Sequence, residues 1–180
     1  MTTAFAPVTL RAGRLTLRPI DAGDVDAYLT AVDDEVRRWM PWSEDFTREK
    51  AVRWCTEEAS GDLSRALNLA IVPPETGRLE GAVGIGRADW DTGVAETGYW
   101  LGPAARGRGY ATEAVRAVAR HAFGLGLTRI ELLAAVGNVA SQRVAERAGF
   151  TREGVLREAR PLPGGKMADM VRFRLLEGEL

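Results

Sequence analysis

The segment Arg106-Gly107-Arg108-Gly109-Tyr110-Ala111-Thr112-Glu113-Ala114 constrains this chain more than any other. It follows an aromatic-rich run, 94–101, that stops at Gly102-Pro103. It opens a stretch in which Ala111, Ala114, Val115, Val118, Ala122 and Leu125 recur at helical spacing while Glu113, Arg116 and Arg120 take the other face. A strand, a glycine turn and an amphipathic helix are thus joined in that order. Two glycines let the backbone turn sharply and bring N–H groups close to a ligand, and the amides at a helix start favour negative charge. Arg106 and Arg108 add charge-assisted donors. The segment reads either as a diphosphate-binding loop or as a glycine-rich connection with solvated arginines, and spacing alone leaves both open.

The remaining elements fall around this unit. Residues 14–20 alternate apolar and polar and then meet Asp21, an N-cap candidate with Asp24 three residues on. Helices are expected over about 22–39 and 47–60, with Pro41 breaking between them. Strands are expected over 66–72 and 79–88, as a hairpin, and over 129–136. A helix opening at Asn138 closes at Gly149, before strands over 150–158 and 167–176. The order predicts an α/β (α+β) chain, a mixed sheet of about seven strands with helices on its faces, in one domain spanning 1–180.

With 24 basic and 25 acidic residues, a net charge of -1, no global field draws the chain to nucleic acid or to an anionic membrane, so any anion site is local. Cys55 is the sole cysteine, which excludes an internal disulfide and a cysteine metal site; it is expected as a small buried hydrophobe. His121, the sole histidine, lies on the amphipathic helix away from any ligand cluster, so no metal is expected. Residues 1–10 lack a basic segment followed by a long apolar one, and no run reaches bilayer length, so the cytoplasm is the expected location.

The loop has neither the G-x-G-x-x-G of a dinucleotide fold nor the G-K-[ST] of a P-loop. It resembles the acyl-CoA signature [QR]-x-x-G-x-[GA] of the GNAT superfamily of N-acetyltransferases, met by Arg106, Gly109 and Ala111. Two flanking motifs strengthen the resemblance. Glu96-Thr97-Gly98-Tyr99-Trp100-Leu101 looks like the superfamily's fourth strand, and Asn138-Val139-Ala140-Ser141, ending at Gly149-Phe150, looks like its N-x-x-[SA] helix. Within the superfamily, Arg14 to Pro19, Trp39-Met40-Pro41-Trp42 and Asp169-Met170-Val171 resemble the RimJ/RimL branch, which includes ribosomal-protein N-terminal acetyltransferases.

The resemblance implies a mostly antiparallel sheet whose fourth and fifth strands splay apart, with the pantetheine arm of acetyl-CoA in the gap. Leu101 would offer backbone hydrogen bonds to that arm, and Arg106, Gly107, Arg108, Gly109, Tyr110, Ala111 and Thr112 would surround the diphosphate. Asn138 would be a further contact, or simply the cap of its helix. The implied reaction is direct attack of a neutral amine on the thioester, which needs a base, a polarised carbonyl and an acid for the leaving thiolate. Glu96 is the base candidate; the other reading is a strand-edge salt-bridge partner. The acid position often filled by Tyr is Ala145 here, which leaves Ser141 or Tyr110 as donors to sulfur. Trp39, Trp42, Trp90 and Trp100 are candidates to wall the acceptor slot, or are packing anchors, and the turn 161–165 is a candidate cover.

The expected activity is acetyl-CoA-dependent acetylation of a primary amine, such as a ribosomal-protein N-terminus. Two alternatives stay open: a small-molecule amine or antibiotic acyltransferase using acetyl- or succinyl-CoA, and a non-catalytic acyl-CoA-binding regulator. A homodimer is expected if the final strand forms an exposed sheet edge.

Overall fold

The computed structural model describes residues 4–43 and 45–180; residues 1–3, part of the N-terminal segment considered above, lie outside them. Eight strands form one sheet: β1 (Leu10–Ala12), β2 (Leu15–Pro19), β3 (Leu67–Val72), β4 (Gly81–Asp89), β5 (Val94–Leu101), β6 (Arg129–Ala135), β7 (Thr151–Pro161) and β8 (Met167–Leu176), in the order β1-β2-β3-β4-β5-β6-β8-β7. Among the described strands only the β5–β6 pair is parallel. The strand beyond the expected seven is β1, three residues that hairpin onto β2 and are too short to show an alternation.

Among the described residues, five α-helices accompany the sheet: α1 (Val25–Ala31), α2 (Asp34–Trp39), α3 (Arg48–Arg53), α4 (Tyr110–Gly124) and α5 (Val139–Arg147). The entry to α1 follows the sequence, since Asp21 accepts from Gly23 N and Asp24 accepts from Asp21 N. The single helix expected over 22–39 breaks at Asp33, because its carboxylate caps α2 by accepting from Val36 N at 3.1 Å. The expected helix over 47–60 starts at the Thr47 cap and changes after Arg53 into a π-helical turn, Trp54–Glu58.

Side chains alternate across the strands, so each face of the sheet has its own core. On one face Leu15, Leu17, Leu69, Ile71, Ile85 and Ile130 pack with the apolar stripe of α4, and Ala145 and Ala148 of α5 join them. On the other, Ala70, Ala82 and Trp100 pack with Tyr28, Val36 and Cys55 from α1, α2 and the π-helical turn. Each large side chain buried this way contributes about 1.5–3 kcal/mol, an upper figure because the unfolded chain already buries part of its surface. Cys55 is the buried hydrophobe expected, and burial pushes its thiol up to about 11.

The final strand, expected as an exposed edge, is interior. β8 pairs with β6 on one side and β7 on the other, and β7 forms the edge. That edge is interrupted by two register irregularities and carries Arg152, Glu153, Arg157 and Glu158, features that discourage strand addition. No helix among the described residues is long and apolar enough to cross a membrane.

Candidate active site

The site begins with a defect in the sheet. β5 and β6 pair only at Val94↔Arg129, Ala95↔Ile130 and Glu96↔Glu131. Beyond Glu96, the facing edges at 97–101 and 132–135 have no register partners across the gap, while β5 stays paired to β4 and β6 to β8. Unpaired N–H and C=O groups in such a gap suit an extended amide-containing ligand lying as an extra strand. The expected splay is therefore present, at β5 and β6 in this numbering.

A cavity of about 810 Å³ opens at the gap, lined among others by Glu96, Tyr99, Trp100, Leu133, Asn138 and Ser141. Chain alternation separates its two sides. Glu96, Gly98 and Trp100 face the α1–α3 layer, whereas Tyr99 faces the α4 layer and meets α5. The Tyr99 hydroxyl donates to Ser141 Oγ at 3.2 Å, and burial pushes the Tyr99 phenol up. Asn138 accepts from Ser141 N at 3.0 Å, so it is a helix cap whose geometry also fixes Ser141 in the first turn of α5.

On the α1–α3 side the floor is glycine. Gly84 pairs with Gly98 across β4 and β5, and Gly86 pairs with Glu96. A side chain at Gly84 would strike Asn68 Oδ1 and the Leu67 carbonyl, but Cβ atoms at Gly86 and Gly98 would meet nothing within 4 Å and neither residue has positive φ. The two are glycines where neither backbone nor packing requires it, and the consequence is room. Over this floor stand Tyr28, Trp42, Phe46 and Trp100, with Tyr28–Trp100 centroids 5.2 Å apart and Trp42–Trp100 centroids 5.9 Å apart. Such ring pairs add about 0.5–1.5 kcal/mol each beyond area burial, which makes a stiff wall.

Glu96 lines the cavity, and its Oε2 accepts from Arg160 of β7 at 2.6 Å, so the salt-bridge reading holds in the structure alongside the site position. Trp39 and Trp42 line the cavity as well; Trp39 donates to Glu35 and reaches toward Gly137, just before Asn138. Pro161 and Leu162, from the turn expected as a cover, belong to the cavity wall. Trp54, on the π-helical turn, is a lining residue the sequence reading missed.

Two expectations are corrected. Trp90 does not line the cavity; its ring packs on Phe5 at 5.0 Å and its Nε1 donates to the Ser64 carbonyl, because it lies past the bulge in β4 at the far end of the hairpin. Tyr110 is fully buried and its hydroxyl bonds Glu75, at 3.0 and 3.1 Å, away from the gap, so its geometry does not suit a donor to sulfur. Ala145 is fully buried in the α4-side core.

The glycine loop follows the end of β5 at Leu101, through a turn at Pro103–Ala105, and leads into α4. Gly107 and Gly109 have φ of 74° and 82°, and a Cβ at either would meet nothing within 4 Å. The Arg106 guanidinium binds the Asp33 carboxylate in two-pronged fashion, at 2.6 and 2.7 Å. Arg106 thus ties the loop to the cap of α2, and its hydrogen bonds hold the Asp33 carboxyl below the usual carboxylate range. Ala111 is buried, while Thr112 is half-buried and Arg108 exposed at the start of α4. His121 is half-buried on α4 outside the cavity, and no metal-holding cluster exists among the described residues.

Comparison with known proteins agrees with this geometry. Residues 14–151 match the acetyltransferase (GNAT) domain family. The chain is 33% identical over 176 residues to p20 of Bacillus licheniformis, named an uncharacterized N-acetyltransferase, covering 95% of this chain and 97% of that one. It is 35% identical over 82 residues to the ribosomal-protein-serine acetyltransferase of Escherichia coli, covering 45% and 46%. The structure of the microcin self-immunity acetyltransferase MccE with acetyl-CoA and AMP aligns with a TM-score of 0.80 at 25% identity, over 91% of this chain and 93% of that one. A domain match over most of the sequence and a relative similar along nearly all of it lead to one conclusion: the chain belongs to the GNAT family and is an N-acetyltransferase.

Proposed function

We propose that the chain transfers acetyl from acetyl-CoA to the N-terminal amine of a peptide or protein, as a RimJ/RimL-like enzyme of the cytoplasm. The observation that carries this reading is the gap between β5 and β6, with Glu96 on one face of the sheet and the Tyr99–Ser141 pair on the other. The pantetheine arm lies along the unpaired edge of β5 up to Leu101, and the amides from Gly107 to Thr112, with Arg108, receive the diphosphate. Arg106 acts by holding the loop. The glycine floor favours an acceptor whose main chain lies close to β4 and β5, and the likeness to a ribosomal-protein-serine acetyltransferase supports a protein acceptor.

The acceptor enters from the α1–α3 side, where its ammonium gives a proton to Glu96, directly or through water. The neutral nitrogen then attacks the carbonyl carbon, forming C–N as the carbonyl pair moves to oxygen. Collapse breaks C–S as the departing thiolate takes the Ser141 hydroxyl proton on the other face; the new amide nitrogen sheds its second proton through water, which restores the Ser141 hydroxyl, and Glu96 returns its proton to solvent. Because Tyr99 donates to Ser141 Oγ, the serine's own hydrogen is left to point at sulfur. The products are the N-acetyl peptide and free CoA.

The test is free-CoA release with acetyl-CoA and short peptides, beside the same peptides with blocked α-amines and a set of small amines. Release with the open peptides alone is expected. Equal or greater release with small amines would move the assignment to a small-molecule acyltransferase, and acetyl-CoA binding without release on any amine would make the chain a regulator.

A further inference from the structure

Deepening the acceptor reading above, we infer that Arg87 is an anion-recognition residue, and that the preferred acceptor carries a carboxylate within its first two residues. The backbone at Arg87 supplies the first observation. β4 bulges between Gly86 and Asp89, placing Arg87 and Ala88 opposite Ala95 alone, and Arg87 has φ of 54°. A non-glycine residue in the left-handed region costs about 1–3 kcal/mol and persists where its placement has a use. The bulge sits at the cavity: Arg87 follows Gly86, the partner of Glu96, and borders the main cavity.

Electrostatics gives the second observation. Among the described lining residues, the guanidiniums of Arg53, Arg87 and Arg160 accompany only two carboxylates, Glu58 and Glu96, while Lys50, a further lining cation, makes an interaction of its own. Arg53 is paired with Glu58 at 2.8 Å and Arg160 with Glu96 at 2.6 Å. Arg87 has no ion pair or side-chain hydrogen bond within the described residues, although two carboxylates line the same cavity. A smaller cavity of about 370 Å³ shares Arg87, Glu96, Leu133 and Arg160 with the main one, so Arg87, an exposed residue, lies where the two meet. An amine beside Glu96 and a carboxylate on Arg87 together match this charge order. One guanidinium left over after two ion pairs suits a monoanion such as a carboxylate. Trp54, whose buried Nε1 has no partner among the described residues, also lines the main cavity.

Tryptophan emission reports binding here without turnover, because Trp42, Trp54 and Trp100 line the cavity. The CoA-saturated protein is titrated with two matched pairs: aspartyl-alanine amide against asparaginyl-alanine amide, and alanyl-aspartate amide against alanyl-asparagine amide. The acid member of at least one pair should bind roughly tenfold tighter, the discrimination expected of one charge-assisted contact. The pair with the larger ratio identifies the first or second residue as the source of the carboxylate. Arg87→Gln should bring that ratio close to one, and Arg87→Lys should restore part of it; CoA affinity in each variant serves as the control for folding. Equal affinities within both pairs, a ratio unchanged in Arg87→Gln, or no binding of any of the four would overturn the inference. Absence of acetyl transfer alongside a preserved, Arg87-dependent ratio would instead count only against the catalytic reading.

Discussion

Tyr99 on β5 and Ser141 on α5 meet across the gap in the sheet, the phenol hydroxyl donating to Ser141 Oγ at 3.2 Å. Burial pushes the Tyr99 phenol up, so it keeps its proton through the neutral range and remains a donor. The pair is oriented so that one hydroxyl positions the other.

Ser141→Ala should therefore lower kcat by about 10²-fold with a smaller change in KM, the size expected for loss of a general acid. Tyr99→Phe should cost less, and the double variant little more than Ser141→Ala, because the two act as one unit. Steady-state kinetics on one peptide decide it. Tyr110→Phe costing more than Ser141→Ala would return the acid role to Tyr110.

Glu96→Gln should lower kcat/KM by about 10²–10⁴-fold and remove or displace the acidic limb of its pH profile, with acetyl-CoA affinity retained. A profile and rate superimposable on those of the parent protein would leave Glu96 as the ion-pair partner of Arg160 alone.

The Arg106–Asp33 pair gives a pH-dependent prediction. Asp33 has a depressed carboxyl in the fold, so its contribution is full above the unfolded value of about 3.9 and is lost as pH falls through the folded one. Both side chains are about one-third exposed, so screening limits the contribution to about 1 kcal/mol. Urea denaturation should show Asp33→Asn less stable at pH 7, with the difference shrinking toward pH 3. A difference independent of pH would contradict this. Acetyl-CoA affinity should fall in the variant at neutral pH, because the loop loses its tether.

Gly86→Val tests the floor. Its Cβ would enter open space at ordinary φ, so the protein should fold while the acceptor KM rises roughly tenfold and acetyl-CoA affinity stays within about twofold. Unchanged acceptor kinetics would mean the acceptor does not cross β4 there.

Much of this was legible in the sequence, and the exceptions have physical reasons. Period-2 and period-3.6 patterns mark the long strands and α4, and Asp21, Thr47 and Asn138 stand at helix starts. The Gly107-Arg108-Gly109 turn shows itself through residues that tolerate positive φ. Side-chain pairings across the fold were not legible. Arg106 looks like a phosphate ligand by its place in the motif, yet its partner is Asp33, 73 residues away. Tyr110 sits beside the loop in sequence, but helix rotation buries it against Glu75, while Tyr99 lies 42 residues from Ser141 and is joined to it by the splay. Strand alternation places Glu96 and Trp100 on one face of the sheet, whereas the bulge at Arg87 has no sequence signal of its own.

Direct transfer from bound thioester to an N-terminal amine is the centre of this account, and mass spectrometry of one reaction tests it. Protein and acetyl-CoA are mixed without acceptor, sampled, and then given an unblocked peptide. The account predicts no acetyl on the protein before the peptide is added, and afterwards one acetyl on the peptide's α-nitrogen with one free CoA per transfer. An acetyl ester on Ser141 or thioester on Cys55 that forms without acceptor and then passes to the peptide would contradict it, as would acetylation confined to a side chain.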